Sequence, residues 1–181
     1  MLPFDRSWTL FLDRDGVINA EKVGSYIFTW SEFVFLPRVE EAIAMLSRIF
    51  GRLIVVTNQR GVGRGLMTEG DLETIHEKMR THLMSLGGRI DAIYACTDIQ
   101  EDSLCRKPNI GMALQAQKDF PEIDFTRSIM VGNSESDMEF GRRLGMRTVW
   151  ITTKKPTPEP ADLADEIHPS LWAWALTLGS R

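Results

Sequence analysis

Short apolar segments recur along the chain, and each is nearly continuous rather than alternating with polar residues. They are WTLFL (8–12), RLIVVTN (52–58), DAIYAC (91–96), SIMVGN (128–133) and RTVWIT (147–152). An apolar run of this length without alternation is typical of a strand that is covered on both faces. Such strands fit the interior of a parallel sheet, and they constrain the fold more than any other feature of the sequence.

Helical patterns lie between these segments. Apolar residues recur with helical spacing over 39–49, and a second pattern begins at Thr68, a residue that can cap a helix, and ends before Gly87-Gly88. Weaker helical patterns cover 110–119 and 135–144. The alternation predicts an α/β fold with a doubly wound, mostly parallel sheet and helices on both faces.

Length and composition favour one domain over residues 1–181. The chain is 43% hydrophobic and 25% charged, which is ordinary for a globular protein. The net charge of -4 argues against a nucleic-acid or anionic membrane partner. Because no apolar stretch approaches the ~20 residues of a membrane span, and MLPFDRSW lacks an apolar signal core, we expect a cytoplasmic protein, a monomer or weak homo-oligomer.

Two long connections follow predicted strands, over 19–36 and 97–109. Ligands of such sheets bind at the carboxyl ends of the strands, so these connections are expected to form walls over a site that has no cap domain. Apolar residues with helical spacing near the C-terminus, from Leu171 to Leu178, predict a last helix that packs on the core. The two cysteines, Cys96 and Cys105, are expected to be reduced thiols.

Polar residues collect where three predicted strands end. Asp13 and Asp15 follow the first strand, Thr57-Asn58 ends the second, and 133–137 follows the fourth. Each cluster alone fits an ordinary turn or helix cap. Together they fall on one edge of the sheet, where a divalent cation would cancel the repulsion between the acids. Oxygen donors with few sulfur or imidazole partners favour Mg²⁺.

A basic pair stands before a further helix, in CRKPNIG (105–111). Arg106 and Lys107 are able to neutralise a phosphate there, and the helix start offers backbone N–H groups. The sequence therefore places potential phosphate ligands after the third strand.

Four ordered motifs resemble those of the haloacid dehalogenase-like (HAD) phosphatases: LFLDRDGVIN, VVTNQRGVGRG, CRKPNIGM and MVGNSESDM. Within that superfamily they resemble the branch of the heptose-1,7-bisphosphate and histidinol-phosphate phosphatases. The resemblance implies a magnesium-dependent phosphomonoester hydrolase that acts on a small phosphorylated metabolite through an aspartyl-phosphate. D-glycero-D-manno-heptose 1,7-bisphosphate is the first expectation for the substrate. The alternatives are histidinol phosphate, with Asp98 or Glu101 meeting its amine, and a phosphate-binding protein with impaired catalysis.

The resemblance also implies roles for individual residues. Asp13 would be the nucleophile, and Asp15 would protonate the leaving alkoxide and then activate water. Lys107 would hold the phosphoryl group against the nucleophile, and Thr57 and Asn58 would donate hydrogen bonds to its oxygens. The expected substrate-binding residues are Asn58, Gln59, Arg60, Arg106, Glu21 and Ser25. The expected metal ligands are Asp13, Asp15, Asn133 and Asp137.

Three neighbouring positions receive structural expectations. Gly16 is expected to permit a sharp turn that leaves room for the substrate. Arg14 lies between the two acids and is expected to point away from the site, because residues i and i+2 of an extended segment share a side. His76 is expected to be a surface residue of the second helix.

Two departures from the family pattern matter. Asn133 stands where the fourth motif usually has an aspartate, so we expect weaker Mg²⁺ binding, or Asp137 as a replacement ligand. Relatives with a zinc loop carry Cys-x-His and Cys-x-Cys before RKP, whereas this chain has Asp98 and Ser103 at two of those four positions. A structural zinc is therefore not expected.

Overall fold

Six parallel strands form one sheet in the computed structural model, which describes residues 4–179. The spatial order is β3-β2-β1-β4-β5-β6. The strands are β1 (Thr9–Leu12), β2 (Arg52–Asn58), β3 (Ala92–Cys96), β4 (Ser128–Gly132), β5 (Arg147–Ile151) and β6 (Glu166–His168). The first three residues of the N-terminal segment discussed above lie outside the described residues.

Within residues 4–179, six α-helices accompany the strands. They are α1 (Val39–Ile49), α2 (Arg60–Gly63), α3 (Glu69–Ser85), α4 (Gly111–Asp119), α5 (Glu135–Arg143) and α6 (Leu171–Gly179). The five predicted strands and five predicted helices are all present, with bounds within two residues. The sequence patterns missed β6 and α2, because three residues with one apolar side chain, or four residues rich in glycine, carry no periodic signal.

The helices cover both faces of the sheet, as predicted. Leu10 and Leu12 of β1 pack in the same apolar cluster as the buried faces of α1, α3 and α6. Phe11, which points to the opposite face, packs in a second cluster with residues of α4 and α5. All four residues of β1 are buried, which explains why its sequence is continuously apolar.

The helix ends follow from local chemistry. Thr68 caps α3, accepting a hydrogen bond from the Asp71 backbone, while the Asp71 side chain accepts one from the Thr68 backbone.

Within α6, Trp174 and Leu178 are buried against the core, so the predicted packing of this helix is confirmed. Within residues 4–179 no helix is both long enough and apolar enough to cross a lipid bilayer.

The parallel arrangement brings the strand-end clusters to one edge. β1 lies between β2 and β4, and Leu12 is in register with Val55 and Val131. The residues that follow these strands therefore meet at the carboxyl edge of the sheet, where the sequence predicted a site.

Candidate active site

Three charged residues form the cavity floor, a name used below for Asp13, Lys107 and Asp137. Lys107 Nζ donates to Asp13 Oδ1 at 2.9 Å, to Asp137 Oδ1 at 2.6 Å and to the Val56 carbonyl at 2.8 Å. All three residues are buried. The ammonium group thus joins the ends of β1, β2 and α5 into one unit.

Burial and charge shift the pKa values of these groups. Burial, followed by repulsion from Asp137, raises the pKa of Asp13 to about 7, although Lys107 opposes the shift. Burial alone would lower the pKa of Lys107, but attraction from Asp13 and Asp137 outweighs it and raises that pKa. The site therefore holds a permanent cation beside a nucleophile candidate whose carboxylate form is disfavoured chiefly by burial.

Asp137 caps the helix that carries it. Its Oδ2 accepts hydrogen bonds from the Asn133 and Ser134 backbone N–H groups, each at 3.1 Å, and from Ser134 Oγ at 2.7 Å. Its Oδ1 is the partner of Lys107. Both oxygens are thus engaged by protein donors, and Asp137 mainly fixes the lysine and the start of α5.

Asp15 faces the same cavity, and a different set of donors holds it. Arg14 donates to both carboxylate oxygens, Asn19 Nδ2 donates to Oδ1 at 2.9 Å, and Gln59 Nε2 donates to Oδ2 at 2.8 Å. Burial acts to raise the pKa of Asp15, but Arg14 and these hydrogen bonds outweigh it, so the pKa is lowered. The two acids of the first motif therefore have pKa values shifted in opposite directions.

One expectation about this neighbourhood is confirmed and one is wrong. Arg14 lies outside the cavity lining, as expected, and its guanidinium, at 0% exposure, pairs with Asp15, because a buried guanidinium needs an acid partner. His76 is half-buried rather than a surface residue, because its ring lies against Arg14, with 3.1 Å between Nε2 and Nη1.

The end of β2 organises its neighbours. The Asn58 amide makes two hydrogen bonds to the main chain of Lys107, at 3.0 and 3.1 Å. Gln59 Nε2 reaches both Asp15 and the Thr57 hydroxyl, each at 2.8 Å. Thr57 is 1% exposed and lies behind the cavity lining. Asn58 and Gln59 thus hold the lysine and the second acid in place.

Gly16 makes a close approach possible behind the acids. Its φ is +84°, a left-handed value that favours glycine, and a Cβ there would lie 1.9 Å from Asn133 Nδ2. Thr153 Oγ1 donates to the Gly16 carbonyl at 2.6 Å and accepts from Asn133 Nδ2 at 3.2 Å. The space that Gly16 leaves is therefore filled by Asn133 rather than by a substrate.

A cavity of about 250 Å³ opens above these residues. Of the residues predicted from the sequence, it is lined by Asp13, Asp15, Glu21, Ser25, Asn58, Gln59, Arg106, Lys107, Asn133 and Asp137. Thr57 and Arg60 lie outside this lining. Lys154, which pairs with Glu21 at 3.7 Å, was missed, although its place after β5 follows the same strand-end rule.

The 97–106 segment, called the wall below, lines the cavity through Arg106, and its other polar contacts are more exposed than those of the floor. Glu101, with a side chain 82% exposed, pairs with Arg60 and lies 3.5 Å from Arg106 Nε. Arg60 therefore contacts Glu101 of the wall rather than the cavity. The two arginines are close enough for one carboxylate to bridge them.

A disulfide closes this segment. Cys96 and Cys105 are bonded through sulfur, with their Cα atoms 5.5 Å apart, so the expectation of reduced thiols is wrong for this structure. The intervening residues turn back on themselves and return Cys105 to the end of β3, which spacing alone does not reveal. Asp98 and Ser103 lie beside the bond, with Ser103 Oγ donating to Asp98 Oδ2 at 2.5 Å. The four positions of the zinc loop thus come together in space.

Two side-chain oxygen atoms of the cavity lining suit a hard divalent cation. Within the described residues, no group donates a hydrogen bond to Asp13 Oδ2 or to Asn133 Oδ1, and both residues line the cavity. Burial first, and then repulsion from Asp137, raises the pKa of Asp13, and a cation beside it would stabilise its carboxylate form. A cation at this position fits the donor set and the electrostatics.

Known phosphatases resemble this chain over most of its length. Residues 104–175 match the HAD-hydrolase-like family. The D-glycero-alpha-D-manno-heptose-1,7-bisphosphate 7-phosphatase of Mycobacterium bovis is 36% identical over 95% of this chain and 92% of its own length. The D-glycero-beta-D-manno-heptose-1,7-bisphosphate 7-phosphatase of Escherichia coli K12 is 37% identical over 90% of this chain and 88% of its own.

A solved structure agrees with these sequence relatives. The D,D-heptose 1,7-bisphosphate phosphatase of B. bronchiseptica, crystallised with magnesium and phosphate, superimposes with a TM-score of 0.84 at 28% identity. The match covers 96% of this chain and 98% of the other. The predicted fold and enzyme class, a phosphoric monoester hydrolase, are therefore confirmed. The chain belongs to the HAD-like phosphatases, in the branch of the heptose-1,7-bisphosphate phosphatases.

Proposed function

We propose that this chain removes one phosphate from D-glycero-D-manno-heptose 1,7-bisphosphate through a phosphoryl group carried on Asp13. The observation that carries the proposal is the buried Lys107–Asp13 pair, 2.9 Å apart, on the floor of a polar cavity that also holds Asp15. A lysine fixed beside a carboxylate is suited to receive a phosphoryl group between them. The relatives named above act on this bisphosphate and cover nearly the whole chain.

Asp13 and Asp15 divide the chemistry. A carboxylate oxygen of Asp13 attacks phosphorus, a new P–O bond forms, and the bond from phosphorus to the ester oxygen breaks. Asp15 gives a proton to that ester oxygen, so the sugar leaves as an alcohol. Asp15, now a carboxylate, then takes a proton from water. This water attacks phosphorus and releases inorganic phosphate, which regenerates Asp13.

The pKa shifts of the ligand-free protein run against this division, so the site must take up a proton at Asp15 when the substrate binds. The pKa of Asp15 is lowered in the ligand-free protein, so its carboxylate form dominates there at neutral pH. A phosphate monoester is an anion, and its approach raises the pKa of a neighbouring acid. Asp15 is therefore expected to take up its proton together with the substrate. Lys107 keeps its charge throughout, because the carboxylates on either side raise its pKa.

Magnesium is the cation that we propose for a site at Asp13 and Asn133. Asp13 and Asn133 would hold it, since the oxygens of Asp15 and Asp137 are already engaged by protein donors. When bound, it would neutralise charge on the phosphoryl oxygens. Thr57 and Asn58 support the phosphate site indirectly, through Gln59 and the Lys107 main chain.

The cavity wall favours a sugar bisphosphate over histidinol phosphate. The acids expected to meet an amine are engaged elsewhere, Glu101 with two arginines and Asp98 with Ser103. Among the described residues, Arg106, which lines the cavity, has buried N–H groups at Nε and Nη1 without a hydrogen-bond partner, although its Nε lies 3.5 Å from Glu101. Buried guanidinium donors without acceptors suit a second anionic group better than an amine.

The test is phosphate release from both anomers of the heptose bisphosphate and from histidinol phosphate, each with Mg²⁺. We expect turnover of the heptose bisphosphate and a loss of at least about 10³-fold in Asp13→Asn. An Asp13→Asn protein that keeps the wild-type rate would overturn the assignment. Turnover of histidinol phosphate alone would show that histidinol phosphate, and not the heptose bisphosphate, is the substrate. The two curated relatives act on different anomers at 36% and 37% identity, so the assay compares both.

A further inference from the structure

Arg14 occupies an unusual position for a charged side chain. It is 0% exposed and lies between the two acids in sequence, yet it makes no contact with Asp13 among the described hydrogen bonds. Its guanidinium lies 5.8 Å from the centre of the Phe33 ring. Burying a guanidinium is costly unless acceptors satisfy it. Its acceptors therefore indicate what it is for.

Those acceptors are Asp15 and His76. Arg14 Nη2 donates to Asp15 Oδ1 at 2.9 Å and to Oδ2 at 3.1 Å, while Nη1 lies 3.1 Å from His76 Nε2. Because an arginine is always a donor, His76 Nε2 is the acceptor, and the ring is neutral. Burial, followed by repulsion from Arg14, lowers the pKa of His76 to about 3, which keeps it neutral at physiological pH.

These contacts connect α3 to Asp15 at the carboxyl edge of the sheet. His76 on α3 fixes one nitrogen of the guanidinium, and the guanidinium fixes the Asp15 carboxylate in its plane. Asn19 and Gln59 hold the same carboxylate from other directions, at 2.9 and 2.8 Å. A simple counterion would need only a charge near Asp15, whereas this arrangement restrains the rotation of its carboxylate.

We propose that Arg14 and His76 are positioning residues for Asp15, which aim its carboxylate at the leaving oxygen of the substrate. The inference rests on the proposed function, in which Asp15 is the general acid. Neither residue touches the substrate. Their loss is therefore expected to matter in proportion to how much the leaving group needs a proton.

Two phosphate esters of similar size separate this role from a general effect on the fold. Benzyl phosphate releases a strongly basic alkoxide that needs a proton, whereas 4-nitrophenyl phosphate releases a weakly basic phenolate that leaves without one. For each, kcat/KM reports the steps up to departure of the leaving group. The ratio of the two values is thus a direct measure of general acid catalysis.

The variants form a graded series. Asp15→Asn is expected to lower kcat/KM for benzyl phosphate by about 10³-fold and for 4-nitrophenyl phosphate by no more than about tenfold. Arg14→Lys and His76→Leu are expected to lower the benzyl value about 10- to 100-fold and the nitrophenyl value less than about threefold. His76→Gln keeps an acceptor for the guanidinium and is expected to restore most of the wild-type ratio.

Arg89→Met is the matched control. Arg89 donates to the Phe50 and Gly51 carbonyls, each at 3.0 Å, and to Asp91, at the opposite edge of the sheet. Its loss removes partly buried arginine contacts without touching Asp15, so the melting temperature is expected to fall while the ratio stays unchanged. The melting temperature of every variant shows how much of each rate change comes from unfolding.

The outcomes separate the inference from the proposed function. Equal losses for both esters in Arg14→Lys and His76→Leu, or no loss for either, would overturn the positioning role. If Asp15→Asn lowered kcat/KM equally for both esters, Asp15 would not be the general acid. That result would overturn the positioning role as well. Wild-type and Asp13→Asn proteins that are equally active would instead contradict the proposed function.

Discussion

The cavity floor and the 97–106 segment both use charged side chains, but they are built differently. On the floor, Lys107 and Asp137 have side chains no more than 2% exposed, and each is held by partners from other elements. In the 97–106 segment, Glu101 is 82% exposed and bridges two arginines beside the cavity. Contacts of buried charges are strong and costly to break, whereas exposed ion pairs contribute little. Substitutions in the floor are therefore expected to be costly, whereas substitutions in the wall are expected to be tolerated.

The largest expected effect tests the floor. Lys107→Met would leave the Asp13 and Asp137 carboxylates buried without their shared cation. We expect kcat/KM to fall about 10³-fold or more, and the free energy of unfolding to fall by about 3 kcal/mol. Phosphate release and urea unfolding measure the two quantities. Lys118→Met on α4, where the lysine is exposed, is the control and is expected to change neither. A small effect of Lys107→Met on both quantities would contradict the proposed difference between the floor and the wall.

The second expected effect concerns the proposed metal site at Asp13 and Asn133. Asn133→Asp would add a negative charge beside Asp13, so Mg²⁺ is expected to bind about tenfold more tightly, as measured by a titration of activity or heat. Asn133 Nδ2 now donates to Thr153 Oγ1, and that bond would be lost, so the metal-free variant is expected to melt at a lower temperature. No gain in affinity would count against Asn133 as a ligand.

A pH effect on stability is expected to be smaller. The pKa of Asp13 is raised from 3.8 to about 7 in the folded protein, so folding favours its protonated form. This group therefore costs no stability well below pH 3.8, and costs progressively more as the pH rises from 3.8 towards 7. Without metal, Asp13→Asn is expected to melt a few degrees above the wild type at pH 8 and near it at pH 4. A difference that does not depend on pH would contradict the shift.

The smallest expected effect tests the wall. Glu101→Gln removes the charge that bridges Arg60 and Arg106 but leaves a side chain of the same size. Because the carboxylate is largely exposed, kcat is expected to stay unchanged, and KM to change less than about threefold. Steady-state kinetics on the heptose bisphosphate provide both values. A loss of kcat like that at Lys107 would show that the wall takes part in the chemistry.

The sequence predicted the fold and most of the floor because both depend on local patterns. Continuous apolar runs identified five strands, and the parallel arrangement that they imply placed Asp13, Lys107 and Asn133 at one edge. The same rule would have found Lys154 after β5. It could not find β6, because a strand of three half-exposed residues at the sheet edge has no apolar signal.

The rest depended on contacts between residues far apart in sequence. Arg14 lies outside the cavity lining, as expected, but its contact with Asp15 could not be predicted, because β1 ends at Leu12 and a turn follows. His76 gained its partner from a residue 62 positions earlier. The Cys96–Cys105 bond likewise depends on how the intervening residues turn. None of these pairings has a periodic or compositional signal.

Gly16 and Asn133 share one small volume, so the two positions are not independent in evolution or in design. A side chain at 16 would meet the Asn133 amide at 1.9 Å, and the backbone conformation at 16 would still resist it. Shortening residue 133 alone would open a void under the first motif. Libraries that vary the metal-facing position therefore need to hold Gly16 constant and to sample residue 133 together with Thr153, its hydrogen-bond partner.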